Sequence, residues 1–229
     1  MTTANAITVN AAHMEAALQA VSKEETRYYL KGVFLDGRGY IAATNGHIMF
    51  AARCADAIKL ATDRPAFDTH EHSLPGVIVP SDAIAQAIKA AGRTNAETML
   101  IERDPNGLWW IFYGNGRIAF TPIDGSFPDW QRPVPTPPET LTAAHYQPQY
   151  IAALGNMAKA LRGGKKDEAQ FFTLHQNGEN PALVTFPFAD LHEPRTDCIA
   201  VIMPYRMSAY AGATFTGTFL TPPEAAEAA

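Results

Sequence analysis

The residues best suited to chemistry in this 229-residue chain come in small, separated groups. Gly163-Gly-Lys-Lys166 has the glycines and lysines of a phosphate cradle. A phosphate loop uses glycine-rich backbone N–H groups and a lysine between a strand and a helix, with an earlier glycine and a Ser or Thr after the lysine. This stretch has neither of those and follows a helical pattern, so it reads as a helix end. His70-Glu-His72 offers zinc-ligand types, but no helix sets them on one face and no further ligands gather nearby, so it reads as a solvated loop. Cys54 and Cys198 have no metal-ligand spacing, and two cysteines fit a reducing compartment better than a disulfide framework. There is no Gly-x-Ser-x-Gly elbow. Asp124 and Asp129 bracket a Gly-Ser-Phe-Pro turn, where carboxylates cap backbone N–H groups. The expectation is therefore no catalytic residues, no metal and no cofactor: a binding protein and not an enzyme.

The elements that carry these groups follow from periodicity. Hydrophobic residues are 47% and charged residues 18%, a globular composition, and the net charge of −5 excludes a uniformly basic nucleic-acid binder while leaving room for a local basic surface. The first residues lack a basic stretch followed by an apolar run, so no signal peptide is expected, and no apolar run reaches membrane-spanning length. A cytoplasmic protein with no membrane partner is the expectation. Three amphipathic helices are predicted. The first runs from about Ala11 to Lys23, capped by Asn10, with Met14, Ala17, Leu18 and Val21 as its stripe. The second follows Pro80 with Ser81 as cap and carries Ile84, Ala87, Ile88 and Ala91. The third follows Pro148, carries Ile151, Leu154, Met157, Ala158 and Leu161, and ends at Gly163-Gly164.

Helix starts near positions 11, 81 and 149 are 70 and 68 residues apart, which suggests an internal repeat. Strand-like text with tight turns follows each helix. It comprises Gly32–Leu35, Tyr40–Ala43 and Ile48–Ala52, then Thr98–Glu102, Leu108–Tyr113 and Arg117–Pro122, then Gln170–His175, Ala182–Phe186 and Cys198–Met203. Gly114-Asn-Gly116 and Asn177-Gly178 supply the turns. Each unit is one helix plus an antiparallel meander, giving an α+β fold with helices on one face of the sheets. The proline-rich stretch Pro133-Val-Pro-Thr-Pro-Pro138 is the strongest boundary. The division is a two-unit domain over 1–132, a linker over 133–140, and a third unit with a C-terminal extension over 141–229. Thr221–Ala229 reads as a mobile tail.

Three segments resemble the bacterial DNA polymerase III beta-subunit family, the sliding clamps. They are Tyr29-Leu-Lys-Gly-Val-Phe-Leu35 running into Ala43-Thr-Asn-Gly-His47, then Asp124-Gly-Ser-Phe-Pro-Asp-Trp130 with Arg132, then Val201-Ile-Met-Pro-Tyr-Arg-Met207. Gln147-Pro-Gln-Tyr150 and Val77-Ile-Val-Pro80 add to the match, which spans roughly residues 10 to 207. The resemblance implies a ring of helix-plus-meander units around double-stranded DNA, helices lining the hole. Such a ring holds a polymerase on DNA by topology, and weak phosphate contact is what lets it slide. Lys23, Arg27, Lys89, Arg93, Lys159, Arg162 and Lys166 could line the hole at helical spacing; the bland reading is a set of solvated helix faces.

The resemblance also implies an apolar pocket for peptides of DNA polymerases and clamp loaders. Its matched positions are Leu30, Thr44, Gly46, His47, Met49, Pro128, Arg132, Pro133, Gln147, Tyr150, Val201, Ile202, Met203, Pro204, Tyr205, Arg206 and Met207. On pattern alone, Leu30, Val201 and Ile202 could be sheet core, His47 a turn residue and Met203-Pro204 a strand end. The chain departs from the family at Asn45, where Asp is usual, at Ile48, where Arg is frequent, and after residue 207, where Ala213–Leu220 alternates like a strand. It also shows three units where family chains have six. Units one and two resemble the middle domain and unit three half of the last, so unit three is expected to pair with unit three of another chain in a homo-oligomer. The alternatives are a docking module or decoy that never closes a ring, and an enzyme whose fold mimics these patterns.

Overall fold

The computed structural model describes residues 5–54, 76–92, 97–139, 142–161, 171–187 and 195–206. Two antiparallel sheets and three helices account for most of them. The first sheet has four strands in the order β1 (Asn5–Asn10), β6 (Thr98–Arg103), β7 (Trp109–Tyr113), β8 (Gly116–Phe120). The second has seven, in the order β5 (Val77–Pro80), β2 (Gly32–Asp36), β3 (Tyr40–Thr44), β4 (Ile48–Arg53), β11 (Cys198–Ile202), β10 (Ala182–Thr185), β9 (Thr173–His175). Units one and two exchange their leading strands: β1 pairs with β6, and β5 with β2. Unit three joins unit one by the β4–β11 ladder, which sets Ile48 opposite Ile202, Phe50 opposite Ala200 and Ala52 opposite Cys198.

Alternation then decides the two faces of the large sheet. Val33, Leu35, Ile41, Ala43, Ile48, Phe50, Ala52, Cys198, Ala200 and Ile202 join the core under the helices. Phe34, Ala42, Met49, Ala51 and Val201 face the other way and gather with Trp130, Phe127 and Val134 in a second cluster. Here the sequence reading needs one correction. Val201 and Ile202 are neighbours on one strand and take opposite faces, so Ile202 belongs to the helix-side core and not to the outer pocket.

The helices are α1 (Ala11–Leu18), α2 (Ser81–Ala91) and α3 (Pro148–Leu161). Asn10 caps α1, its Oδ1 accepting from the N–H groups of Ala12 at 2.8 Å and His13 at 3.3 Å. That helix is five residues shorter than its periodicity suggests. The N–H groups of Gln19 and Ala20 bond three residues back, to Ala16 and Ala17, tightening the last turn. Ser22 then leaves the helical path: its N–H donates to the Leu30 carbonyl and its Oγ accepts from the Glu24 N–H. Lys23 and Arg27 therefore sit on a loop and share no helix face. At α2 the cap is Pro80 and Ser81 is the first helical residue, with Asp82 complementing the helix dipole in the first turn. Pro148 opens α3, where its missing N–H costs nothing. β1 was not expected from the sequence. The motifs His70-Glu-His72 and Gly163–Lys166 and the segment Ala213–Leu220 lie outside the described residues.

Candidate peptide-docking cleft and inner face

The turn between β3 and β4 is built by its own polar groups. Asn45 Oδ1 accepts from the N–H groups of His47 (2.9 Å) and Ile48 (3.1 Å), and Thr44 Oγ1 donates to the Ile48 carbonyl at 2.9 Å. Asp or Asn can do this work equally, so the departure at Asn45 leaves the turn intact. Gly46 takes φ +89°, a left-handed conformation suited to glycine, and a Cβ there would lie 2.8 Å from Arg27 Nη1. The His47 carbonyl accepts from the Met203 N–H at 2.8 Å, which ties the end of β11 to this turn.

The junction segment 123–134 lies on the outer face of the large sheet. Phe127 stacks on Phe34 with centroids 4.9 Å apart, and Trp130 tilts against Tyr40 at 5.4 Å. Trp130 Nε1 donates to Asp36 Oδ2 at 3.0 Å, and Arg38 Nε donates to the same carboxylate at 2.9 Å. Burial works against the Asp36 charge, but these donors outweigh it and hold its carboxyl below the usual range. Asp129 caps the following turn, accepting from the Gln131 N–H at 3.1 Å.

Between turn, junction and β11 lies a cavity of about 200 Å³ lined by Thr44, Gly46, His47, Ile48, Met49, Pro128, Asp129, Trp130, Pro133, Val201 and Met203. Eight of the expected positions thus meet around one space: Thr44, Gly46, His47, Met49, Pro128, Pro133, Val201 and Met203. The others are elsewhere. Leu30 is buried in a 3-10 turn, Arg132 is exposed beyond the rim, and Ile202 faces the core. Pro204, Tyr205 and Arg206 continue past the cavity, the Tyr205 N–H bonding the His145 carbonyl at 2.7 Å, and Met207 is outside the described residues. Ile48, where the family often has Arg, also borders the cavity, and Asp129 and Trp130 line it without having been expected. The tryptophan stands in a quoted motif beside Pro128, and its type alone could have pointed to it.

His47 also stacks on Tyr150, centroids 5.3 Å apart and planes 19° apart. Both face a second, polar groove of about 450 Å³ together with Gln19, Ser22, Lys23, Asn45, Gln149 and Asn156. Gln147 supports this wall: its carbonyl accepts from the Tyr150 N–H and its side chain from Gln149 Nε2 at 2.8 Å.

On the helix side, the same β4–β11 seam is bolted by ions. Arg195 donates to both carboxylate oxygens of Asp197 at 3.0 Å, and from Nη1 to the Leu161 carbonyl at the end of α3 at 3.0 Å. Buried His13 of α1 places Nε2 3.2 Å from Asp197 Oδ2. Burial opposes the Asp197 charge, yet the bonds from His13 and Arg195 hold its carboxyl far below the usual range. Burial, with Asp197 beside it, pushes the Cys198 thiol up to about 12. His13, Asp197 and Cys198 could in principle share a metal, their donor atoms lying within 4.8 Å of one another. The guanidinium on Asp197 already supplies the cation there, and the arrangement is a structural ion pair.

Of the basic residues expected to meet DNA, Lys89 on α2 and Lys159 on α3 are exposed. Lys23 borders the polar groove, and Arg27 pairs with Glu24 at 3.5 Å beside Gly46. Arg93, Arg162 and Lys166 lie outside the described residues. No helix among the described residues is long and apolar enough to cross a membrane.

No family model matches the chain. A curated relative, the beta sliding clamp of Caulobacter vibrioides, is 33% identical over 119 residues, covering 51% of this chain and 30% of that protein. The matched part is thus less than a third of the relative's length. Among solved structures, a DnaN sliding clamp (DNA polymerase III subunit beta) from Bartonella birtlesii superposes with a TM-score of 0.56 at 17% identity, covering 90% of this chain and 67% of that one. A DNA polymerase sliding clamp from Pseudomonas aeruginosa gives 0.55 at 18%, covering 88% and 66%. The fold is that of the sliding clamps, and the chain spans about two thirds of the length of those structures.

Proposed function

We propose that this chain is a DNA sliding clamp, a non-enzymatic processivity factor of DNA replication that encircles double-stranded DNA as a homo-oligomeric ring and docks replication proteins through the apolar cavity. One observation carries the docking half: Met49, Trp130, Val201 and Met203 converge with two prolines on a preformed cavity at the junction of units one and three. A peptide with Leu or Phe anchors needs such a slot, and burying one anchor is worth about 1.5–3 kcal/mol. Methionines let it accept several partners, with polymerase and clamp-loader peptides as the expected class.

The ring half is supported by the clamp fold, by exposed Lys89 and Lys159 on two helices, and by a net charge of −5 that disfavours tight, immobilising contact. Four chains of three units would supply twelve units, with unit three meeting unit three of another chain. The division into a two-unit domain over 1–132 and a third unit from 141 belongs to this proposal. The short match to the relative favours a second reading, a clamp-derived docking module that never closes.

The test has two arms. A fluorescent peptide carrying Leu and Phe anchors should bind with micromolar affinity and lose it when Met203 is changed; no binding at millimolar protein ends the docking reading. Charge reversal at Lys159 should weaken retention on circular DNA for a ring and leave a docking module unaffected.

A further inference from the structure

We infer that the apolar cavity is a seat for the chain's own C-terminal segment, with Phe219 and Leu220 as the anchors, and that a partner peptide must displace it. The inference rests on the docking reading of the cavity and adds its regulation. The position of the exit points to it. β11 ends at Ile202, Met203 lines the cavity, and the Met203 N–H is tied to the His47 carbonyl at 2.8 Å. Two residues on, the Tyr205 N–H is held by the His145 carbonyl at 2.7 Å. The chain therefore leaves the described residues for 207–229 at the mouth of the cavity. Apolar surface is uncovered there: Met203 and Tyr205 are 38% and 57% exposed, while Val201 and Ile202 before them are 2% and 0% exposed.

The sequence that follows has the chemistry the cavity takes. Residues 207–223 carry no Asp, Glu, Lys, Arg or His, and include Tyr210, Phe215, Phe219 and Leu220. An uncharged run with this apolar content gains by being covered. A preformed cover stands at its start, the cavity of about 200 Å³ lined by Met49, Trp130, Val201 and Met203. Phe219 and Leu220 are adjacent, which gives one short segment both kinds of anchor that such a slot holds.

The path back is short. Sixteen residues separate Met203 from Phe219, and Gly212 stands midway between Tyr205 and Phe219, where a reversal of the chain is least hindered. The entropy of closing such a loop grows only slowly with its length. A tether of this size holds the anchors at about millimolar effective concentration. A partner peptide then binds through the open fraction alone, and its apparent affinity is lowered by that fraction. The tail thereby keeps the cavity from collecting weak apolar segments, and a partner needs enough affinity to displace it.

Two measurements on the full chain test it. In the first, fluorescence anisotropy follows a peptide with Leu and Phe anchors on the wild type and on Phe219→Ser with Leu220→Ser. The expected result is about tenfold tighter binding by the double variant, with an unchanged melting profile. The second needs no partner. A photoreactive benzophenone side chain is placed at position 219 and irradiated, and the crosslinked residue is found by mass spectrometry. The expected site is Met203 or another residue lining the cavity, within one chain. A crosslink outside the cavity overturns the proposal, whatever the peptide does. A crosslink into the cavity of a second copy, seen as a doubled mass on a denaturing gel, overturns it in favour of exchange between chains. Equal peptide affinity for wild type and double variant overturns self-occupancy and leaves the docking reading standing. No peptide binding by either, with the crosslink outside the cavity, removes both.

Discussion

The β4–β11 seam has two faces built on opposite terms. On the helix side, Phe50 at 0% exposure packs against Phe186 with centroids 6.2 Å apart, and the His13–Asp197–Arg195 group fastens α1, α3 and the approach to β11 together. On the outer side, Met49 and Val201 of the same two strands border a cavity of about 200 Å³. One face carries the joint between units. The other is thereby released from filling its own space, and that freedom is what a docking cleft requires. The comparison predicts that mutations on the inner face cost stability and those on the outer face cost binding.

Phe50→Ala should break the joint hardest, costing about 3–5 kcal/mol in chemical denaturation, as for a large side chain deleted from a closed core. A cost below about 1 kcal/mol would mean that the inner face does not hold the seam. Asp197→Asn comes next, with a loss of about 2–3 kcal/mol, since two charge-assisted partners are left behind at a partly buried site. It also has a pH signature. The folded carboxyl lies far below its unfolded value of about 3.9. Its contribution is therefore full above about pH 4 and shrinks as pH falls further, because the unfolded chain takes the proton first. The gap between wild type and Asp197→Asn should narrow as pH falls from 5 to 3; a gap that does not narrow over that range would assign the effect elsewhere.

Between the faces stands Trp130, whose indole lines the cavity while its N–H serves Asp36. Trp130→Phe keeps an aromatic wall and removes one donor from a buried carboxylate, so both readouts should move. A stability loss of about 1–2 kcal/mol is expected, together with weaker peptide binding measured by fluorescence anisotropy.

Legibility followed the same division. The repeat could be read because helix periodicity and Gly/Asn turns are local: Gly114-Asn115 and the stripe of α3 state their conformations within a few residues. The cavity could be read in part because His47, Val201 and Met203 lie in the family-like motifs. Its parity was misjudged at Ile202, although alternation along β11 would have turned that side chain inward. What was invisible depends on partners distant in sequence. Nothing near Asp36 announces Trp130, 94 residues on, and nothing near His13 announces Asp197. The early end of α1 was hidden for the same reason, since Ser22 abandons the helix to bond Leu30 across a loop that periodicity does not see.

The smallest structural effect should fall at Met203, and it separates the faces most cleanly. The residue is 38% exposed at the mouth of the cavity, past the last ladder pair of β11, and its N–H is tied to the His47 carbonyl. Truncation to Ala leaves that bond, opens no closed void and removes a flexible apolar wall. Stability should change by less than about 0.5 kcal/mol, as at exposed sites generally. Peptide affinity should fall about tenfold, the equivalent of about 1.4 kcal/mol of lost contact. If Met203→Ala instead destabilises the fold as much as Trp130→Phe, the outer face is part of the joint, and the cavity is a packing defect and not a docking site.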